Sequence, residues 1–238
     1  MKDISMFIQM HKGGPYFDLP DYYRLQVGAL RTHTDLGFEY SDKFGENISA
    51  KNRTYVDLCG VYWIWKNVDD SFIVGNTHHS KYFIDNKTDF PIQSSVAKEI
   101  LKENDIVIAN AILPGRTVYQ IFNDFHGSKN IDIARDVISR MYPDYIKDFD
   151  EVIVEGEESS LFNMMITYKT IWNDYCAWLF PILEEMERYV KIDETDDFSA
   201  KVYGFVAERL ELVWIHHHKL KYHPLNVRHY DENLQPVR

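Results

Sequence analysis

Four short apolar runs punctuate the chain: residues 4–10 (I-S-M-F-I-Q-M), 71–77 (S-F-I-V-G-N-T), 105–109 (D-I-V-I-A) and 161–167 (L-F-N-M-M-I-T). Each is bounded by polar or turn-forming residues and is too short for a buried helix, so each is predicted to be a buried strand. Residues 152–154 read as a further short strand. Between these runs the apolar residues recur at helical spacing. Tyr55, Leu58, Cys59, Tyr62 and Trp65 form one stripe, and Val56, Gly60 and Trp63 a second, so residues 47–67 are expected to form one central helix covered on two sides. Its N-cap is Asn47 or Ser49. Val118, Ile121, Phe122 and Phe125 place a helix over 115–125 that His126-Gly127 closes. Ile133, Val137 and Met141 place another that starts at Asp132 and stops before Pro143. The longest pattern is Tyr168–Val190, with Trp172, Tyr175, Leu179, Ile182, Met186 and Val190 in step; Pro181 is expected to kink or divide it. Phe205, Val206, Leu210, Val213 and Trp214 define a last helix over 203–216. Residues 30–46 lack periodicity and read as a loop. Strands and helices alternate, which predicts an α/β fold with a mostly parallel central sheet flanked by helices. No repeat or linker is apparent, so residues 1–238 read as one domain, with 216–238 as a C-terminal tail.

The composition supports a sizeable core, at 45% hydrophobic and 15% aromatic. The net charge of −11 argues against a general nucleic-acid binder, which needs a basic stripe. The two cysteines, Cys59 and Cys176, fall on apolar helical patterns and read as small buried hydrophobes. There is no secretory h-region and no apolar run long enough to span a bilayer. The expectation is a cytoplasmic protein, with peripheral contact at the inner membrane face left open.

Candidate chemistry clusters at strand ends and helix starts. His11, Lys12 and a Gly-Gly-Pro turn follow the first strand, and the carboxyl end of a first strand is where open α/β sheets place ligands. Asn47, Ser49 and Asn52 crowd the first turn of the central helix; they are either a cap or an anion site built on free N–H donors. The second strand ends at His78-His79-Ser80-Lys81-Tyr82-Phe83. No D-x-D stands there to hold a manganese or magnesium ion, and Asp148-Phe149-Asp150, the literal match, reads as a solvated helix end. A cation such as Lys81 can instead offset the charge of a leaving phosphate. His78 and His79 are adjacent on a strand and point to opposite faces, against a two-histidine metal site. His126 is a titratable group near neutrality or a favourable cation at a helix C-terminus. Asn163 is a core amide or a substrate contact. Glu208 and Arg209 are consecutive on a helix, so they are expected to need separate partners. Residues 193–197 read as an acidic solvated loop. The five histidines of the tail are assigned no chemistry.

The block N-I-S-A-K-N-R-T-Y followed by Y-W-I-W-K-N resembles a family of bacterial glycosyltransferases, domain-of-unknown-function family 4422, found in capsular polysaccharide and O-antigen synthesis. The resemblance continues in His11-Lys12, Gln26-Val27-Gly28-Ala29, the H-H-S-K-Y-F segment, His126 with the later Y-P-D-Y, the Y-C-A-W-L-F-P-I-L block and G-F-V-A-E-R-L. At residues 79–81 the family carries Y-R-R where this chain has His79-Ser80-Lys81. The resemblance implies a GT-A-like fold and a UDP-hexose donor, with UDP-galactofuranose one candidate. It also implies a glycan or lipid-linked oligosaccharide acceptor. Donor-binding candidates are His11, Lys12, Asn47, Ser49, Asn52, Tyr55, His78, Lys81, Tyr82 and Arg209, with Tyr55 and Tyr82 as stacking surfaces. Asp57, His126 and Glu208 are the candidate general bases, Asp57 lying where the family has Glu. The alternative is a relative that binds a sugar nucleotide or a partner without turnover.

Overall fold

A computed structural model describes residues 1–193 and 195–237; Glu194, in the acidic stretch, and Arg238 lie outside the described residues. The strands are β1 (Lys2–Met10), β2 (Tyr22–Gln26), β3 (Tyr40–Ser41), β4 (Ser71–His78), β5 (Lys81–Asp85), β6 (Phe90–Pro91), β7 (Ile106–Ile112), β8 (Glu158–Tyr168), β9 (Tyr222–Leu225) and β10 (Val227–His229). The helices are α1 (Ala29–Thr32), α2 (Asn52–Tyr55), α3 (Leu58–Asn67), α4 (Ser94–Ile100), α5 (Val118–His126), α6 (Lys129–Met141), α7 (Ile146–Phe149), α8 (Lys169–Met186) and α9 (Val202–His217). The sheet order is β3-β2-β1-β4-β8-β7-β9. β1 pairs in parallel with β2 and β4, and β7 with β9, whereas β8 runs antiparallel to both its neighbours. The fold is thus α/β with a mixed sheet.

The two faces of the sheet are covered unequally. Phe7, Leu25 and Val74 meet the helices on one side, through residues such as Ile64, Val137, Leu179 and Leu210. Trp172 of α8 is fully buried there, and its indole N–H donates to the Val61 carbonyl of α3 at 3.3 Å. Cys59 and Cys176 are buried free thiols. The other face carries a smaller cluster in which Ile4, Met6, Ile73 and Ile166 meet Ala97 of α4 and Leu225. No helix among the described residues is long and apolar enough to cross a membrane.

Four local expectations change. The central helix is broken: a 3-10 turn at Ser49–Lys51 leads into α2, and Val56 then takes φ 50 and ψ −119 before α3 begins. A β-branched residue in that region costs on the order of 1–3 kcal/mol and persists only where neighbours enforce it. Here the Asn52 amide donates to the Val56 carbonyl at 3.0 Å, and the Val56 N–H donates to the Asn52 carbonyl at 2.9 Å. Residues 150–154 are π-helical and continue α7 rather than forming a strand; an apolar triplet is too short for periodicity to decide. Pro181 does not divide α8, which runs unbroken over Lys169–Met186. The tail is part of the sheet: β9 pairs with β7 and β10 with β5.

A second irregularity lies in β8. The ladder between β4 and β8 stops at Gly75–Ile166, and the β7–β8 register shifts over the same stretch. Phe162 and Asn163 have φ of 66 and 50. Where the backbone ladder fails, a side chain replaces it. Asn76, fully buried, donates its amide to the Asn163 carbonyl at 2.7 Å and accepts from the Met165 N–H at 3.0 Å. Asn76→Ala is expected to cost about 2–4 kcal/mol, because both backbone groups stay buried without partners. Urea unfolding measures this, and a loss within experimental error contradicts the assigned role.

Candidate active site

β1 and β4 are parallel neighbours, and Gln9 stands in register with His78 at their carboxyl ends. A cavity of 590 Å³ opens there, roofed by the α2–α3 break, the β8 irregularity, α5 and α9. It gathers His11, Asp57, His78, Lys81, His126, Glu208 and Arg209 from the sequence-derived candidates. These positions span nearly two hundred residues of chain. Gln9, His79, Lys201, Phe162 and Asn163 also line it.

The break at Val56 delivers Asp57 to the cavity, where a continuous helix would carry it round with its neighbours. The Asp57 carboxylate lies 3.4 Å from His78 Nδ1. His78 Nε2 lies 3.0 Å from the Phe162 carbonyl, which can only accept, so Nε2 carries a proton. The ring is therefore oriented, with Nδ1 turned to Asp57. Burial first, partly opposed by Asp57, holds the His78 pKa below its ordinary value. His11 and His79 stand edge to face, 5.5 Å between ring centres. Burial and neighbouring cations push His79 down to about 4, and His11 in the same direction.

Glu208 and Arg209 pair with each other, contrary to the expectation of separate partners. Both side chains are largely withdrawn from water. Burial raises the Glu208 pKa, and Arg209 offsets part of that rise. The guanidinium lies 5.6 Å from the Phe122 ring centre. Lys81 sits 4.7 Å over the Phe162 ring, and Lys81 and Lys201 have no hydrogen-bonded carboxylate partner among the described residues. Three permanent cations thus face two carboxyl groups in a chain whose net charge is −11.

Polar groups left open point to the same place. Among the described residues, seven buried side-chain N or O atoms lack a partner, and four belong to residues lining this cavity: both amide atoms of Gln9, Asn163 Oδ1 and Arg209 Nε. Each such group costs on the order of 1–3 kcal/mol unless a ligand or water satisfies it. Gln9 was detectable in sequence as a polar residue inside an apolar strand; Lys201 had no such signal.

Other candidates lie elsewhere. Ser49 donates to Asp42 Oδ1 at 2.6 Å and accepts from the Leu30 N–H, while Asp42 also accepts from Gly28 and Ala29. Asn47 accepts from the Ser49 N–H and donates to the Gly45 carbonyl. Asn52 fixes the Val56 turn and crowds Gly28, whose φ is 70 and where a Cβ would stand 2.6 Å from the amide. The donors expected to bind an anion are thus consumed internally. Tyr55 is buried, bonded to Glu187 at 2.6 Å and stacked on Tyr203. Tyr82 is buried among Phe17 and Tyr230. Lys12 lines an adjacent cavity that shares His79 and Ser80 with this one. Of the D-x-D-like pair, Asp148 accepts from His216 and His217, and Asp150 from Arg135.

A search of curated proteins finds no match. The chain is similar in structure to the apo form of the bifunctional glycosyltransferase WbbM, with a TM-score of 0.85 and 21% identity over 95% of this chain. The match covers 45% of WbbM, so this chain spans less than half of that protein's length. The sequence profile described as domain of unknown function DUF4422 matches residues 5–219, and the chain belongs to that family.

Proposed function

We propose that this protein is a glycosyltransferase that takes a hexose from a UDP-sugar, with UDP-galactofuranose one candidate donor. The acceptor in this reading is a glycan or lipid-linked oligosaccharide of capsule or O-antigen synthesis. The observation that carries the proposal is the excess of cations over carboxyls in one cavity at the carboxyl ends of β1 and β4, a fitting place for a diphosphate. Family membership and the fold shared with WbbM support it.

In this reading the acceptor oxygen attacks the anomeric carbon, the sugar–phosphate bond breaks, and the diphosphate leaves with the bonding electrons. Lys81, Lys201 and Arg209 offset the charge that develops on it. For an inverting reaction the hydroxyl proton passes to Asp57, which lines the cavity and, once protonated, can donate to His78 Nδ1 at 3.4 Å. Glu208 is tied to Arg209 and is less free to act as base. His126, held down at about 4 by burial and then by Arg209, is a weak base at neutral pH. In this reading the Lys81 ammonium takes the place of a manganese or magnesium ion, because His79, Ser80 and Lys81 stand where a D-x-D would and supply no carboxylate to hold one.

Calorimetric titration with UDP, in manganese and then in EDTA, tests the donor site, and UDP release from UDP-sugars tests turnover. Binding in both conditions with release supports the proposal; binding without release points to the non-catalytic alternative, and absence of binding ends the donor assignment. Lys81→Ala is expected to lower turnover by roughly a hundredfold with the melting temperature little changed. Asp57→Asn should lower turnover by roughly 10²–10⁴-fold while UDP affinity stays near wild type; equal losses of both would remove Asp57 as base. The His126 environment predicts a pH effect on stability. A histidine whose folded pKa lies below the ordinary 6.5 contributes its full stability above 6.5 and loses it as pH falls toward 4. The melting temperature should therefore drop more steeply over that range in wild type than in His126→Phe, and parallel curves would contradict the assignment.

A further inference from the structure

Two phenylalanines stand in water at the cavity mouth. Phe125, at the end of α5, is 68% exposed, and Phe198, just before α9, is 51% exposed. Single exposed apolar residues are ordinary. These two differ because a continuous aromatic layer joins them. The His126 ring lies between, stacked on Phe198 at 5.5 Å and on Phe205 at 4.1 Å, with interplanar angles of 22° and 25°. Phe125 adjoins His126 at 6.3 Å. The imidazole is neutral near pH 7, and Arg209, the cation beside it, is paired with Glu208. The rings carry no formal charge, and Phe125 is tilted 47° to His126, so the cluster offers apolar ring faces at the cavity mouth.

Other lining groups have another character. Lys81, His11 and His79 lie at the strand ends, and the unpartnered Gln9 amide lies against Gly60. An amide offers a donor and an acceptor side by side, which matches the hydrogen-bonding edge of a nucleobase. In the proposed reaction the diphosphate is held by the cations of the cavity and the base by the Gln9 amide, which leaves the exposed aromatic rings for the second substrate. A sugar ring has an apolar C–H face and a hydroxyl rim, and exposed aromatic faces bind such rings by stacking.

We propose that Phe125 and Phe198, joined through His126, form the acceptor subsite, holding a sugar ring of the acceptor glycan against the cavity that contains Asp57. This rests on the glycosyl-transfer reading, extending it to a substrate-binding surface. Tyr55 and Tyr82, the stacking groups expected from sequence, are buried away from the cavity, so the surface falls to other rings.

The test uses saturation-transfer NMR with methyl β-D-galactopyranoside in the presence of UDP, alongside calorimetry with UDP alone. Wild type should transfer magnetisation to the ring C–H protons. The double variant Phe125→Ala/Phe198→Ala should weaken the signal by about fivefold, the worth of an aromatic stack, with UDP affinity unchanged within about twofold. Phe125→Tyr/Phe198→Tyr should retain the signal, which separates loss of the ring from loss of the fold. Undiminished transfer in the alanine variant, or no transfer in wild type that does bind UDP, overturns the subsite alone. A drop of roughly tenfold in UDP affinity on Phe198→Ala overturns it by placing the nucleobase on these rings. Failure of wild type to bind UDP instead defeats the donor reading beneath it.

Discussion

The side-chain amide of Asn76 holds together the part of the molecule that matters most. β4 and β8 must separate for a cavity to open between the sheet and α9, and separation leaves backbone groups without ladder partners. Asn76 supplies one donor and one acceptor across the gap. With the gap bridged, Phe162 turns its carbonyl to His78, and Asn163 reaches the Gly204 carbonyl of α9 at 3.2 Å. Two buried amides, Asn76 and Asn163, thereby link the strand bearing His78, the strand that orients it and the helix bearing Glu208 and Arg209. Buried hydrogen bonds of this kind add modest stability when made and cost far more when left open.

The same economy operates at Val56. An unfavourable backbone conformation is held by the Asn52 amide on one side, and α9 approaches closely at Gly204, where a Cβ would come within 3.1 Å of Val56 Cγ2. The result is a helix start at Asp57 instead of mid-helix burial. Strain, the unpartnered amide of Gln9 and the orphaned Arg209 Nε all fall around one cavity. Open polar groups and local strain gather where a protein is organised around a ligand rather than around its own stability.

The main strands were legible because short apolar runs between polar boundaries have few other stable uses, and β1, β4, β7 and β8 follow them closely. The break at Val56 was not, since N-R-T-Y-V-D-L-C is continuous helical pattern and the cause lies in contacts with residues far along the chain. Residue type singled out His11, Asp57, Lys81, His126, Glu208 and Arg209 as candidates, and the fold brings them to one cavity. It could not distinguish them from Asn47, Ser49 and Asn52, because nothing local reveals that Asp42, fourteen residues past Gly28, already closes that network. Tyr55 likewise gave no sign of the Glu187 carboxylate that takes its hydroxyl. Whether a polar group is free or spent is a tertiary property.

The last strands carry a practical consequence. The family profile ends at residue 219, yet β9 and β10 lie beyond it and pair with β7 and β5. A chain trimmed to the profile boundary would bare the N–H and C=O rows of β7 and unclamp the strand that starts at Lys81. Uncovered strand edges recruit other chains. A boundary drawn from sequence similarity would thus turn a folded domain into one prone to self-association, and its silence in an assay would report on the trimming and not on the chemistry.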